Sequence, residues 1–231
     1  MKRGIRVREL ALGTIVAATF SLCLGAAQDA LADEGDISKV NESVHVDEGQ
    51  HTGDVSSVNG SIHIGAGAVV KHVNTVNGSV SLDSRVSADK VNTVNGSIHL
   101  GDAVLVHGPV HSTNGAVHVG DNADITGDVT NMNGGIHIRG AHIGGSIDTH
   151  NGSIDIGPNA HIDGNIKVDE DDSWHFGFYK PPEIIIRPGT VVKGTLHFER
   201  EVRLYVSDHA TIGAVTGAEV HKFSGDSPSD R

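Results

Sequence analysis

Cysteine is nearly missing from this chain: there is one in 231 residues, Cys23. It lies in an N-terminal apolar stretch, so a chain trimmed behind that stretch has no disulfide to brace it and must hold together by packing and hydrogen bonds. Aromatic residues make up only 3%, with a single Trp. A core without rings must be filled by Val, Ile, Leu and Ala, which suit thin repeated layers better than a thick irregular interior. Positive charge is also short, with 17 Lys+Arg against 29 Asp+Glu, which argues against nucleic acid or an anionic lipid surface as partner. Beyond residue 32 there is no long apolar run, so the remaining chain is not expected to span a membrane. A nucleophile elbow, a phosphate loop and a helical zinc motif are all lacking. Helical spacing long enough for a crossover helix is lacking too.

The first 32 residues have the layout of an export signal. Lys2, Arg3, Arg6 and Arg8 form a positive head, "LALGTIVAATFSLCLGAA" an apolar body, and Ala30-Leu31-Ala32 a small-x-small cleavage site. Residues 1–32 are therefore expected to be a signal peptide and 33–39 a lead-in, with delivery to a bacterial periplasm or cell surface. Removal of four basic and two acidic residues leaves 13 against 27, a net charge of −14 with His neutral (17 − 4 and 29 − 2).

What is abundant is repetition. "SVNGSIHIG", "TVNGSVSLD" and "TVNGSIHLG" are versions of one phrase. Its Asn recurs at Asn41, Asn59, Asn77, Asn95, Asn114, Asn133 and Asn151, at intervals of 18, 18, 18, 19, 19 and 18. After each Asn-Gly the apolar residues alternate, as in Ile62-His63-Ile64 and Val117-His118-Val119, which is the period of a strand. Strands that recur at this interval without helices between them predict an all-β fold, a single-stranded parallel β-helix (solenoid) of about nine turns over 40–217; parallel crossovers favour the right-handed sense, while an 18-residue turn of three six-residue sides also suits a left-handed helix. Asn-Gly would form the corner, with Gly taking a positive φ and the stacked Asn amides forming a ladder. The pattern is interrupted at 169–182, where "DEDDSWHFGFYKPP" holds four of the eight aromatic residues. It resumes to residue 217 and gives way to a polar tail at 218–231.

The phrases "VNGSIHIG" and "TVNGSVSL" behind an export signal resemble the bacterial adhesin-like repeat family of unknown function. "RPGTVVKGTLHF" and "GPNAHIDGNIKV" resemble turns of bactofilins, bacterial cytoskeletal β-helices that polymerise. The resemblance spans roughly residues 40–217 and implies a structural or adhesive role, with self-association as a further expectation. It supplies no binding residue and no cofactor.

The 16 histidines are the main chemical feature. Four positions after each ladder Asn stands an outward residue, and that column reads His45, His63, Ser81, His99, His118, His137, Asp155. A second outward column takes in His142 and His161, with His209 placed in a matching later turn. Duplication explains the columns, and an exposed strand accepts imidazole. Neighbouring rungs are nevertheless close enough for two imidazoles to share a transition metal, so His45, His63, His99, His118 and His137 are metal candidates. In the insertion, Asp171, Asp172, Trp174, Phe176 and Tyr179 are candidates for binding an envelope glycan or a partner protein, because rings and acceptors sit together there. The sequence-based reading is a non-enzymatic exported scaffold of adhesin type; the alternative is a binding module for glycan or transition metal.

Overall fold

The computed structural model describes residues 35–169 and 180–228. These form a parallel β-solenoid, and no helix occurs among them. One wall is a 10-stranded sheet, from Val44–Val46 at one end to Val220–Phe223 at the other, with one strand per turn. The rest of the wall is a 16-stranded sheet that branches at strand Ser87–Asn95. In the early turns Val69–Asn77 and Ser87–Asn95 are single strands of nine residues. From the next turn onward the same path is divided into two short strands, Leu105–Val106 and Val110–Asn114, both paired to Ser87–Asn95. The break falls at Gly108-Pro109, where Pro lacks an N–H for the ladder and restricts the residue before it. The bend is already present in the long strands, whose inward residues Val70 and Val73 stand three apart, and from Gly108 onward it becomes a broken corner that every later turn keeps.

Alternation explains the interior. Val55, Val73, Val91, Val110, Val129, Ile147, Ile166 and Leu196 stack rung on rung, and all are buried. The facing sheet buries its own column, including Ile62, Val80, Ile98, Val117 and Ile136. Among the described residues the core is thus two facing sheets of mostly β-branched residues, with Leu and Ala between them, and holds no ring until Phe198.

Three other columns make the turns stack. The Gly of each Asn-Gly lies under the carbonyl of its counterpart one turn earlier, and a Cβ at Gly78, Gly96, Gly115 or Gly152 would overlap that oxygen. The expected reason for this glycine, positive φ, applies to few copies: Gly115 and Gly134 have it, at 151° and 143°, and Gly60, Gly78 and Gly96 do not. Close backbone approach is the common cause. A second glycine column, Gly108, Gly127, Gly145, Gly164, Gly194 and Gly213, obeys the same rule at the broken corner. The left-handed corner lies elsewhere, at Gly49, Gly67, Arg85, Ala103, Asn122, Asn159 and Gly189, with φ between 56° and 74°. Each has its N–H bonded to a carbonyl of the following turn, as in Ala103 to Asp121 at 2.8 Å.

The solenoid overruns the expected limits of 40–217. Ile37–Lys39 already pairs with Val55–Asn59, and Val220–Phe223 is the last strand of the 10-stranded sheet. The expected polar tail at 218–231 is therefore ordered over its first part. Arg187 holds it, donating to the Asp226 carbonyl at 2.8 Å and meeting Ser227 Oγ at 3.1 Å. The interruption lengthens one turn to 30 residues, Ile154 to Ile184, without shifting the register.

Two substitutions separate the two roles of glycine. Gly96→Ala pushes a methyl into the carbonyl below and is expected to cost about 1–3 kcal/mol. Ala103→Gly relieves a left-handed residue at an open corner and is expected to gain about 0.5–1 kcal/mol. Urea unfolding of the two variants reads both signs.

Candidate functional site

The Asn ladder forms as expected. Asn59 donates from Nδ2 to Asn41 Oδ1 at 2.9 Å, and each later Asn donates to the one before it, ending with Asn151 to Asn133 at 3.2 Å. Arg200 terminates the ladder, donating to Asn151 Oδ1 at 2.6 Å and to the His150 carbonyl at 3.0 Å. The amides are exposed, so water competes for every rung. The sequence did not reveal a second, buried ladder beside it. Ser57, Thr75, Thr93 and Ser112 point inward two residues before each Asn, and each donates to a corner carbonyl one turn back, as Thr93 does to Gly78 at 2.9 Å. Asn131 makes the same bond through its amide, at 2.7 Å. The signal was the recurring hydroxyl in "TVNG" and "SVNG".

The outward column after the ladder is also as read: His45, His63, Ser81, His99, His118, His137 and Asp155 are paired rung by rung. It continues, unforeseen, through Ile185, Tyr205 and His221. His45 and His63 stack at 5.0 Å between ring centroids and 3° between planes. After the interruption at Ser81, His99, His118 and His137 stack at 4.7 and 4.9 Å. Burial, followed by the charges of His137 and His99, lowers the pKa of His118. Asp155, the next rung after His137, is held by a two-pronged Arg187 at 2.7 and 2.8 Å. Beside the rings runs an open groove of about 660 Å³, lined by Ser81, Asp83, His99, Asp102, His118 and Arg139 among others. Arg139 lies along it, 3.0 Å from Asp102 and 3.5 Å from Asp121.

The second His column needs correction. His142 and His161 are neighbours in it, but the following rungs are Val191 and Thr211. His209 sits two residues earlier, in the turn that precedes strand Thr211–Ile212. His142 is clamped between two carboxylates, Asp124 at 2.9 Å on Nδ1 and Asp163 at 3.2 Å on Nε2, and its hydrogen bonds to them raise its pKa. Asp148 is displaced far upward, to about 6, by burial first and then by Asp128 and Asp169. Among the described residues no group of three or more His, Cys, Asp or Glu converges as a metal-ligand set. Asp171, Asp172, Trp174, Phe176 and Tyr179 lie outside the described residues, as does the expected signal peptide.

The chain matches no family model, no curated protein and no solved structure.

Because its rungs are solvated, the Asn ladder adds only the net value of an exposed bond. Asn95→Ala or Asn114→Ala is expected to cost about 0.5–1.5 kcal/mol, less than a buried amide would; chemical denaturation checks it. Asp148 has the opposite sign. Its raised pKa means that the ionised carboxylate is disfavoured in the fold, so wild type gains stability as pH falls from 6 toward the unfolded value of 3.8. Asp148→Asn is expected to be more stable than wild type at pH 7.5, with the advantage shrinking below pH 6 and gone near pH 4 on thermal melts across that range.

Proposed function

We propose that this protein is an exported, non-enzymatic β-helix scaffold of adhesin type that works as a discrete rod and presents its side faces to partners. Sequence supports export and the adhesin-like resemblance. One structural observation supports the discrete rod. Strands Ile37–Lys39 and Val220–Phe223 are paired on one side only among the described residues. Each carries a lysine at a core position: Lys39 is in register with buried Ser57, and Lys222 with buried Val206. Lys39 turns out to Glu42 at 3.2 Å. A further turn stacked on either end would have to bury an ammonium group, which is how natural edge strands resist pairing. This weighs against the end-to-end self-association implied by the bactofilin resemblance. A side-face role suits the flat outward columns, whose residues change while the core does not.

The alternative, a glycan- or metal-binding module, has its own support in the His column, where free imidazoles face a groove.

Sedimentation tests the rod. The purified protein is expected to run as a monomer at micromolar concentration, and Lys39→Val with Lys222→Val is expected to produce end-joined oligomers visible in electron micrographs. Filaments of wild type would overturn the reading.

A further inference from the structure

The histidines on the surface of this solenoid are not equivalent. His72 meets Asp54 at 2.7 Å, His142 has carboxylates on both ring nitrogens, and His150 meets Asp169 at 3.2 Å. In the long outward column His63 lies 3.2 Å from Asp83 and His45 lies 3.5 Å from Asp47. His99, His118 and His137 differ. They occupy three consecutive rungs, and their rings are nearly parallel, at 15° and 8°. Among the described residues none of the three has a hydrogen-bond or ion-pair partner.

We propose that His118, with His99 or His137 beside it, forms a binding site for one transition-metal dication of the zinc, nickel or copper class; only adjacent rings are close enough to share the ion. Three observations carry it. Unpartnered imidazole nitrogens are the donors these metals select, in preference to the oxygen-seeking calcium and magnesium. The spacing also fits. Two nitrogens bound tetrahedrally to one zinc at about 2.0–2.1 Å lie about 3.3 Å apart. Rings whose centroids are 4.7 and 4.9 Å apart reach that separation by turning about their outer side-chain torsion, which is broad for His and little hindered on an open face. Finally, the rings border the open groove, so the ion has an entry path and room for water on its remaining positions. As stacked, the three lone pairs run parallel; binding would turn the rings toward one another. His118, in the middle, reaches both neighbours and is the ligand any pair must include.

The run is bounded. Ser81 precedes it and Asp155, already claimed by Arg187, follows it, so one ion per chain is the expected capacity at this site.

Zinc chloride titrated into the purified full-length protein at pH 7.5, followed by calorimetry, tests the assignment. Wild type is expected to saturate at one zinc per chain in a leading phase. His118→Gln is expected to weaken that phase at least tenfold, and His45→Gln with His63→Gln to leave it unchanged. Copper(II) in place of zinc, read by electron paramagnetic resonance, is expected to show two imidazole nitrogens in wild type and fewer in His118→Gln. Circular dichroism melts establish that each variant is folded. Binding that does not saturate, an unchanged leading phase in His118→Gln, or loss of that phase in the His45/His63 variant would each overturn the proposal.

Discussion

Everything in this molecule follows from one constraint: each turn must lie on the previous one at the distance set by parallel backbone hydrogen bonds, about 4.8 Å. Chains can approach that closely along a flat strand with any side chain. At a corner, where Cα atoms point into the neighbouring turn, they cannot. The two glycine columns are where the constraint is most severe, since a single methyl there would overlap the carbonyl of the turn before. The Ser and Thr column answers the other half of the problem. The same corner carbonyls accept from a buried hydroxyl of the next turn.

The same spacing accounts for how much was legible in the sequence. Because every turn repeats the local problem of its neighbours, the period of 18–19 residues, the alternation and the outward column could be read directly, and the register of Asn41 to Asn151 is as expected. Features that occur once were hidden. The break of the long strand into two begins at one dipeptide, Gly108-Pro109. The displacement of His209 from its column depends on the register of a single two-residue strand, Thr211–Ile212. The ordering of the residues after 217 depends on Arg187, whose partners are remote in sequence. The φ of the Asn-Gly corner misled for a different reason: glycine serves both conformational freedom and close approach, and sequence alone does not separate them.

Composition constrains the surface as strongly as the core. A solenoid with free ends and flat, β-branched strands is a template for further strands. Lys39 and Lys222 stand where the core column would continue, so a further turn there would have to bury an ammonium group. The resemblance to polymer-forming β-helices is carried by interior turns such as "RPGTVVKGTLHF". Interior turns must look alike in any solenoid of this width, whatever its ends do, so likeness there speaks to architecture, while the end strands bear on assembly.

The outward column shows how a repeat protein acquires a local site without leaving its repeat. Duplication alone would have produced seven equivalent rungs from His45 to Asp155. Ser81 removes one ring and Asp155 replaces another, and Arg187 then occupies Asp155 on both oxygens. Between these departures three rings remain, evenly spaced and without partners, while the rings before Ser81 are drawn to Asp47 and Asp83. A ladder of identical groups has no preferred position along it and binds weakly anywhere. An interrupted ladder has a defined segment whose ends are chemically marked. The interruptions, more than the histidines, are what give this face a place where one ion would bind in preference to any other.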